Sequence, residues 1–480
     1  MNTFYYQPGP AGSGKTHQLA HWAASVAASH GKVLIAQPTT ALIRATVAKI
    51  RSIDPSIKVT PIYARRANDR VTARTLDHMN AAAPHAGEIL IVTHETLKRL
   101  PTNRRKFWHM VCDEVPAVLE HIDLRIAQTH QHVTDHIAAE EVVPGLLSLA
   151  PGNRAALEAV QVNATEDQNI ATFERLVSTL LSGDHFVMVD SDAYRDLLEN
   201  PQTRGRLDFF AVLMPDFVSG YASTTFMGAN IEETELFVVW KALFDIDWAR
   251  HPVMGDKLRY ETHQNGSRLT IGYLFDGRLS KRFLGAEDEL GGTTFDQVTG
   301  YVARYWDAVP FLWQANKDAM PVGFDYASRL PGVSHGLEKA EWKRVHNVAL
   351  LSAMNRKSAA YGFLVKLGIS AEQAQATLAW QNDYQSMMRC SLRDPDAVAP
   401  VRVIVGSRDG AEWIAAKFPG CIIEKLDSGI EEPRRSGRPE GATGTAKTGA
   451  ERAREARARK RAAKERQTIS VNCTNRDEGA

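Results

Sequence analysis

Eight residues near the start of the chain, GPAGSGKT at positions 9–16, have the composition and spacing of a phosphate-binding loop. They match the pattern GxxxxGK[ST] at every fixed position and lie between a short apolar segment and a segment with helical spacing. Backbone N–H groups and the N-terminus of the following helix attract phosphate oxygens in such a loop, while its glycines permit positive φ. The residues predicted to bind a nucleotide are Gly9, Gly12, Ser13, Gly14, Lys15 and Thr16.

An acidic pair, Asp113 and Glu114, supplies the second half of a nucleotide site. The pair follows the apolar run FWHMVC, which is typical of a buried strand. In P-loop enzymes of this type, we expect Lys15 to reach the β and γ phosphates, Thr16 and Asp113 to hold Mg²⁺, and Glu114 to activate water. The two motifs predict an ATP hydrolase that uses ATP and Mg²⁺, but kinases, helicases and packaging motors share them.

Short apolar runs occur where strands are needed to position these motifs. They lie at residues 3–7, 32–36, 88–93 and 107–112, and helical spacing separates the first runs. Continuous apolar strands that alternate with helices predict a parallel sheet covered on both faces. Similar runs at 268–276, 309–314, 345–351 and 401–405 predict a second α/β unit.

The remaining segments complete the predicted domain organisation. Residues 118–217 look mostly helical and polar, although 184–190 could form a strand of the core. We therefore predict an α/β protein in three parts: residues 1–228 as a first P-loop domain with a mostly helical insertion at 118–217, residues 229–428 as a second domain, and residues 429–480 as a flexible basic tail. The tail is rich in Gly, Pro and Arg and then in Ala, Arg and Glu without an apolar stripe.

Several short motifs resemble those of superfamily 1 and 2 helicases of the DEAD/DEAH-like kind found in phages and mobile elements. In chain order they are QPT at 37–39, TH at 93–94, DEVP at 113–116, YASTTFMGAN at 221–230, FLWQANK at 311–317 and GVSHGLE at 332–338. The resemblance implies two RecA-like P-loop domains with parallel sheets. It also implies nucleic-acid contacts by Pro38, Thr39, Thr93 and His335, a nucleotide contact by Gly336, and coupling of nucleotide state to domain movement by Ser223, Thr224 and Thr225.

The segment YQSMMRCSLR at 384–393 resembles the arginine-bearing motif VI of the same helicases. On a continuous helix, Gln385, Arg389 and Arg393 would share one face because they are four residues apart. Such a face could reach γ-phosphate held by another domain and stabilise charge during phosphoryl transfer. The familiar motif places its arginines four and seven residues after the glutamine, so we expect Arg389 rather than Arg393 to be the arginine finger. We also expect Gln7 to contact adenine.

Composition excludes some classes of protein and conceals an uneven charge distribution. The chain has 480 residues, 57 Lys and Arg against 56 Asp and Glu, and 44% hydrophobic residues, which is ordinary for a globular protein. Residues 429–480 hold 13 basic and 8 acidic residues, so residues 1–428 hold 44 basic and 48 acidic residues. The four cysteines form no CxxC pair, and no apolar stretch is long enough for a membrane span, so we expect a cytoplasmic protein without a membrane partner.

The sequence thus predicts an ATP-dependent helicase or translocase that acts on nucleic acid, with single-stranded DNA expected ahead of RNA, in phage or mobile-element replication or recombination. The basic tail is expected to contact nucleic acid or replication and recombination partners. Two alternatives stay open. One is a packaging or terminase-type motor, which would need a cluster of nuclease carboxylates that residues 396–430 do not show. The other is a P-loop nucleic-acid-binding protein without unwinding activity.

Overall fold

The computed structural model describes residues 3–432 except 67, 102–103, 127–129, 165, 200–204, 256, 290 and 333–338. Two predicted site residues, His335 and Gly336, and the predicted tail from residue 433 onwards therefore lie outside the described residues. None of the helices in the described ranges combines the length and the hydropathy that a membrane span requires.

The chain begins with alternating strands and helices, as the apolar runs predict. In order they are β1 (Phe4–Gln7), α1 (Lys15–Ala28), β2 (Lys32–Gln37), α2 (Thr40–Ile53), β3 (Val59–Pro61), α3 (Val71–Ala81), β4 (Glu88–Thr93), α4 (His94–Lys98) and β5 (Trp108–Asp113). All six residues of β2 are buried, as are the first five of β4, because helices cover both faces of the sheet. The phosphate-binding loop follows β1, and the QPT, TH and DEVP segments begin at the carboxyl ends of β2, β4 and β5.

Residues 119–213 form a sheet of their own with its helices, and this segment is here called the insertion. It contains β6 (Leu119–Ile126), α5 (Gln131–Thr134), β7 (Ile137–Val143), β8 (Leu146–Pro151), α6 (Arg154–Val162), α7 (Gln168–Ala171), α8 (Glu174–Ser182), β9 (His185–Asp190), α9 (Ser191–Glu199) and β10 (Gly205–Leu213). The strands form an antiparallel sheet in the order β6-β10-β9-β8-β7. The insertion therefore contains helices, as predicted, but it also contains a sheet that the prediction of a mostly helical segment did not include. The segment 184–190 is a strand, but it belongs to this sheet.

After the insertion the chain returns to the first sheet with β11 (Ser223–Met227), α10 (Glu235–Phe244) and β12 (Trp248–Arg250). The sheet has the order β12-β1-β11-β5-β2-β4-β3, and all its pairings are parallel. Phe4 packs its ring against Trp240 and Trp248, which fixes β12 beside β1. This sheet with its helices is called lobe one. It extends through Arg250, past the boundary predicted at 228.

Residues 251–268 form a linker that leads to a second parallel sheet, lobe two. Its elements are β13 (Leu269–Phe275), α11 (Lys281–Leu284), α12 (Thr294–Trp306), β14 (Leu312–Gln314), β15 (Asn347–Leu350), α13 (Ser358–Lys366), α14 (Ala371–Gln375), a π-helical turn (Ala376–Trp380), α15 (Gln381–Met387), β16 (Val401–Ser407), α16 (Arg408–Ala415) and β17 (Ile422–Lys425). The strand order is β14-β15-β16-β13-β17, with parallel pairing throughout. The two parallel sheets confirm the predicted α/β fold class.

The predicted helix that would carry Gln385, Arg389 and Arg393 on one face is interrupted. Helix α15 ends at Met387, and the chain continues through a 3₁₀ turn at Ser391–Arg393. The N–H of Ser391 donates to the carbonyl of Val345 at 2.9 Å, so a bond to a neighbouring segment takes the place of the next helical bond. The prediction of a continuous helix through Arg393 is therefore wrong, because tertiary hydrogen bonding ends the helix early.

Candidate functional site

The predicted phosphate-binding loop joins β1 to α1 and has the backbone that its glycines permit. Gly12 and Gly14 have φ of 86° and 92°, and Gly14 is the residue that precedes the first turn of α1. The first turn of α1 has no acidic residue, so its N–H groups and the helix dipole are available to an anion. Lys15 Nζ donates to the carbonyls of Gly9 and Pro10 at 2.8 and 2.9 Å, which holds the ammonium group inside the loop.

Ser13 and Gln7, two further residues predicted to touch the nucleotide, are buried beside this loop. The Ser13 side chain is completely buried, and its backbone N–H donates to Pro10 within the loop. Gln7 is 4% exposed and donates to the carbonyl of Pro8 at 2.8 Å. Neither side chain therefore reaches the loop surface in this conformation, and both nucleotide contacts stay predictions.

Asp113 lies at the end of β5 next to the phosphate-binding loop. The Thr16 hydroxyl donates to its Oδ2 at 3.3 Å, and Gln37 Nε2 donates to the same oxygen at 2.8 Å. Burial raises the pKa of Asp113 to about 6, and the nearby Glu114 charge adds to this increase, whereas the Gln37 bond lowers the pKa. Burial also lowers the pKa of Lys15 to about 8. Both groups are thus ionised together at pH near 7.

The site fits Mg²⁺ by the chemistry of its donors. Thr16 and Asp113 offer two hard oxygen atoms, which is the number of protein ligands that Mg²⁺ commonly takes when nucleotide phosphates and water supply the rest. Gln37 Oε1 is buried and has no hydrogen-bond partner within the described part of the chain, so it could accept from a metal-bound water. No group of three His, Cys, Asp or Glu side chains that could hold a metal alone occurs among the described residues.

Glu114 has an unusual backbone conformation that turns it out of the sheet. Its φ is 66°, in the left-handed region that costs a non-glycine residue roughly 1–2 kcal/mol. Behind it, the ring of His94 contacts the Asp113 carbonyl through Nε2 at 3.1 Å. Glu114 faces a cavity of about 350 Å³ between the lobes, and Gln385 of α15 lines the same cavity from lobe two. The predicted base and one predicted sensor residue therefore share one cleft.

Arg393 lies closer to the phosphate-binding loop than the sequence suggested. A Cβ atom placed on Gly12 would be 3.4 Å from Cγ of Arg393, and the Arg393 charge acts to lower the pKa of Lys15. Arg389, the expected arginine finger, is 5% exposed and follows the last turn of α15. The break in the helix separates the two arginines, and Arg393 is the one with a described contact near the loop. Which of them acts as the arginine finger stays a prediction.

Three of the four residues predicted to contact nucleic acid, Pro38, Thr39 and Thr93, lie at the carboxyl edge of the first sheet. β2 and β4 are neighbours, and their ends carry Thr39 and Thr93, each of which caps the helix that follows. The Thr39 hydroxyl accepts from the N–H of Leu42 at 3.2 Å, and the Thr93 hydroxyl accepts from that of Thr96 at 3.3 Å. Pro38 lines the cavity between the lobes. Helix capping gives both threonines a structural role that needs no ligand. Their contact with nucleic acid stays a prediction.

The residues predicted to couple the lobes make no hydrogen bond to lobe two among those described. Ser223 bonds to His109 at 2.8 Å and Thr224 to the carbonyl of Val218 at 2.9 Å, while Thr225 is completely buried. Contacts with lobe two come instead from the loop that follows the same strand. Asn230 Nδ2 donates to Gln381 Oε1 at 2.9 Å, and Gln381 Nε2 donates to the carbonyl of Ala229 at 2.7 Å.

Two ion pairs reinforce this connection between the lobes. Arg356 of lobe two pairs with Glu235 at 2.6 Å, and both side chains are largely buried. Lys417 pairs with Glu233 at 2.6 Å, and Trp413 Nε1 donates to the same carboxylate at 2.7 Å. Sequence patterns do not mark Glu233, Glu235 and Gln381, because each looks like an ordinary surface residue of a helix. Only the neighbouring GAN sequence at 228–230, a turn after an apolar strand, could have marked this loop.

Comparison with known proteins gives only remote likeness. No model of a protein family matches the chain, and no curated protein matches it. Among solved structures, the chain is similar to an XPD helicase with a TM-score of 0.46 and 11% identity over 88% of this chain and 96% of that one. An S. cerevisiae Dbp5 variant bound to RNA and ADP BeF3 gives 0.35 and 10% over 88% and 85%. The DEAD-box helicase Mss116 bound to ssRNA and UDP-BeF gives 0.28 and 10% over 89% and 72%. These values assign neither a family nor an activity.

Proposed function

We propose that this protein is an ATP-dependent helicase or translocase in which ATP hydrolysis between the two lobes drives movement along nucleic acid. One observation carries the proposal. Lys15, Thr16, Asp113 and Glu114 converge at one edge of lobe one, and that edge faces the cleft that Gln385 of lobe two lines. A nucleotide held at one lobe and sensed by the other can change the spacing between the lobes.

Each residue has a distinct task in the proposed hydrolysis. The loop N–H groups and Lys15 would bind the β and γ phosphates, and Thr16 and Asp113 would hold Mg²⁺, which supplies charge that favours the leaving phosphate. Glu114 would orient and deprotonate the attacking water from the cavity side. Arg393 would stabilise the charge that develops on the transferred phosphoryl group, and Gln385 would report its presence to lobe two.

The nucleic acid is proposed to cross both lobes near Pro38, Thr39 and Thr93. Single-stranded DNA is the preferred substrate in this proposal, and the phage or mobile-element setting, the cytoplasmic location and the replication or recombination partners rest on the motif resemblance and the composition alone. The basic residues of 429–480 would add affinity without base specificity, because contacts to phosphate carry no sequence information.

The test is the ATPase rate of the purified chain with and without single-stranded DNA or single-stranded RNA. We expect polynucleotide to raise the rate, and we expect Lys15→Ala to abolish turnover in both conditions. A matched control is Lys241→Ala, which removes a lysine from α10 of lobe one, on no part of the proposed site. A wild-type rate that polynucleotide does not change would contradict the motor and favour a nucleotide-binding protein of another kind. A strand-displacement assay then separates unwinding from translocation.

A further inference from the structure

Both backbone polar groups of Ala11, in the middle of the phosphate-binding loop, are bonded to tyrosine hydroxyls. The N–H of Ala11 donates to Tyr384 Oη at 2.8 Å, and the hydroxyl of Tyr260 donates to the carbonyl of Ala11 at 2.9 Å. Tyr260 belongs to the linker, whereas Tyr384 belongs to α15 of lobe two. One peptide segment of the loop is therefore held from two directions by parts of the chain outside lobe one.

The Tyr384 hydroxyl is also bonded to His263, and the directions of these bonds can be assigned. An N–H can only donate, so Tyr384 Oη accepts from Ala11 and keeps its own hydrogen for the Nε2 of His263 at 2.8 Å. Burial lowers the pKa of His263 to about 4, so the ring is neutral near pH 7 and its Nε2 can accept. A chain of hydrogen bonds thus runs from Ala11 through Tyr384 to His263.

Gly12, the residue after Ala11, leaves room for the Tyr260 hydroxyl. A Cβ atom on Gly12 would lie 2.6 Å from the Tyr260 hydroxyl, which is closer than atoms can approach without displacement. Gly12 also has a φ of 86°. A side chain at residue 12 would therefore push Tyr260 away from Ala11. Gly12 allows the tyrosine contact as well as the turn of the loop.

Tyr384 immediately precedes Gln385, and this proximity links the contact to the cleft. Successive residues of a helix point about 100° apart, so the orientation of Tyr384 fixes that of Gln385. Tyr384 is completely buried, and Gln385 lines the cavity that Glu114 faces. Further along the chain, Arg393 lies beside Gly12. A helix anchored at Ala11 therefore holds Gln385 in one orientation toward the cavity.

We propose that Tyr384 is a positioning residue that docks α15 on the phosphate-binding loop in the arrangement competent for hydrolysis, with Tyr260 and His263 holding the contact in place. The inference rests on the proposed ATP hydrolysis and deepens it. Nucleotide binding draws mainly on lobe one, through the loop and Asp113. Chemistry also needs Gln385, which follows Tyr384 on α15 and whose position depends on it. Loss of the hydroxyl should therefore affect turnover more than binding.

The test is Tyr384→Phe, which keeps the ring that packs near Phe418 and Trp413 and removes only the hydroxyl. We expect kcat to fall roughly 5- to 100-fold, because the buried N–H of Ala11 loses its partner, while the affinity for a fluorescent ADP analogue changes by less than about threefold. The matched control is Tyr194→Phe. Tyr194 is 1% exposed in the insertion, its hydroxyl has no hydrogen-bond partner among the described residues, and kcat should stay at the wild-type value.

A second variant separates positioning from simple support of the fold. Tyr260→Phe removes the bond on the other side of Ala11, and its effect on kcat should be smaller in combination with Tyr384→Phe than alone, because both act on one residue. A wild-type kcat in Tyr384→Phe, independent effects of the two changes, or a loss of ADP affinity as large as the loss of kcat would overturn the inference. Absence of ATP turnover in the wild-type protein would instead refute the proposed function.

Discussion

Gln37 offers the sharpest test of how the metal side of the site works. It is completely buried at the end of β2, and its Nε2 donates to both Asp113 Oδ2 and Thr46 Oγ1 at 2.8 Å. The bond to Asp113 opposes the increase of pKa that burial causes. Replacement by Met, which has a similar length and no donor, removes this bond with little change of volume. The Asp113 carboxylate should then be harder to ionise.

The size of the effect follows from the charge on the acceptor. A hydrogen bond to an ionised group contributes about 1.5–3 kcal/mol, and about 1.4 kcal/mol corresponds to one pKa unit. The pKa of Asp113 should therefore rise from about 6 to roughly 7–8 in Gln37→Met. The ionised carboxylate is the form that binds Mg²⁺, so activity is present above this pKa and is lost as pH falls through it. The acid limb of the pH profile should move up by about one to two units.

The assay is kcat/KM for ATP hydrolysis against pH at constant free Mg²⁺, since this parameter reports ionisations of the free enzyme. Thr46→Val is the control, because it removes the other partner of Gln37 and leaves the bond to Asp113. Its acid limb should coincide with that of the wild type. An unmoved acid limb in a folded Gln37→Met protein would refute the reasoning, and an equal shift in Thr46→Val would attribute the effect to repacking.

Four further outcomes are expected. Glu114→Gln should lower kcat about 100- to 10,000-fold and leave ADP affinity nearly unchanged, which stopped-flow binding and steady-state turnover can separate. Arg393→Ala should reduce kcat roughly 100-fold or more, and this loss should be larger than the loss that Arg389→Ala causes in the same assay. A larger loss in Arg389→Ala would instead support Arg389 as the arginine finger, as the motif spacing predicts. The basic limb of kcat/KM should fall as pH rises through the Lys15 pKa of about 8, because the ammonium form binds phosphate, and a profile flat to pH 9 would contradict this. Truncation after Pro433, which keeps the contacts of Glu432 with lobe two, should weaken polynucleotide binding and flatten its salt dependence; unchanged affinity would remove the proposed role of the tail.

Local patterns were sufficient to predict the first sheet and the elements around the nucleotide motifs. The phosphate-binding loop depends on glycine, lysine and a following helix, all of which are adjacent in the sequence. The insertion sheet was missed because β7 is exposed along most of its length and lacks the apolar alternation of a half-buried strand. Its fold depends on pairing with β8, which short-range patterns do not reveal.

The positions of the two arginines also depend on distant contacts. Spacing from Gln385 favours Arg389 if the helix continues, but the bond from Ser391 to Val345 ends it. Gln37 shows the same limit at a single residue. A glutamine that ends an apolar strand gives no sign that its amide will reach Asp113, because the contact joins the neighbouring strands β2 and β5. Residues that act through partners distant in sequence are therefore the ones that the sequence pattern leaves out.

The π-helical turn at Ala376–Trp380 limits how the length of this segment can vary. A π turn is the form that one additional residue takes inside an α-helix, and it shifts the angular phase of everything that follows by about 100°. Deletion of a single residue within the turn would restore an uninterrupted α-helix from Ala371 and would rotate Gln381 and Tyr384 away from Asn230 and Ala11 together. The length of this segment thus sets the alignment of both contacts, and a change of one residue there would displace them together.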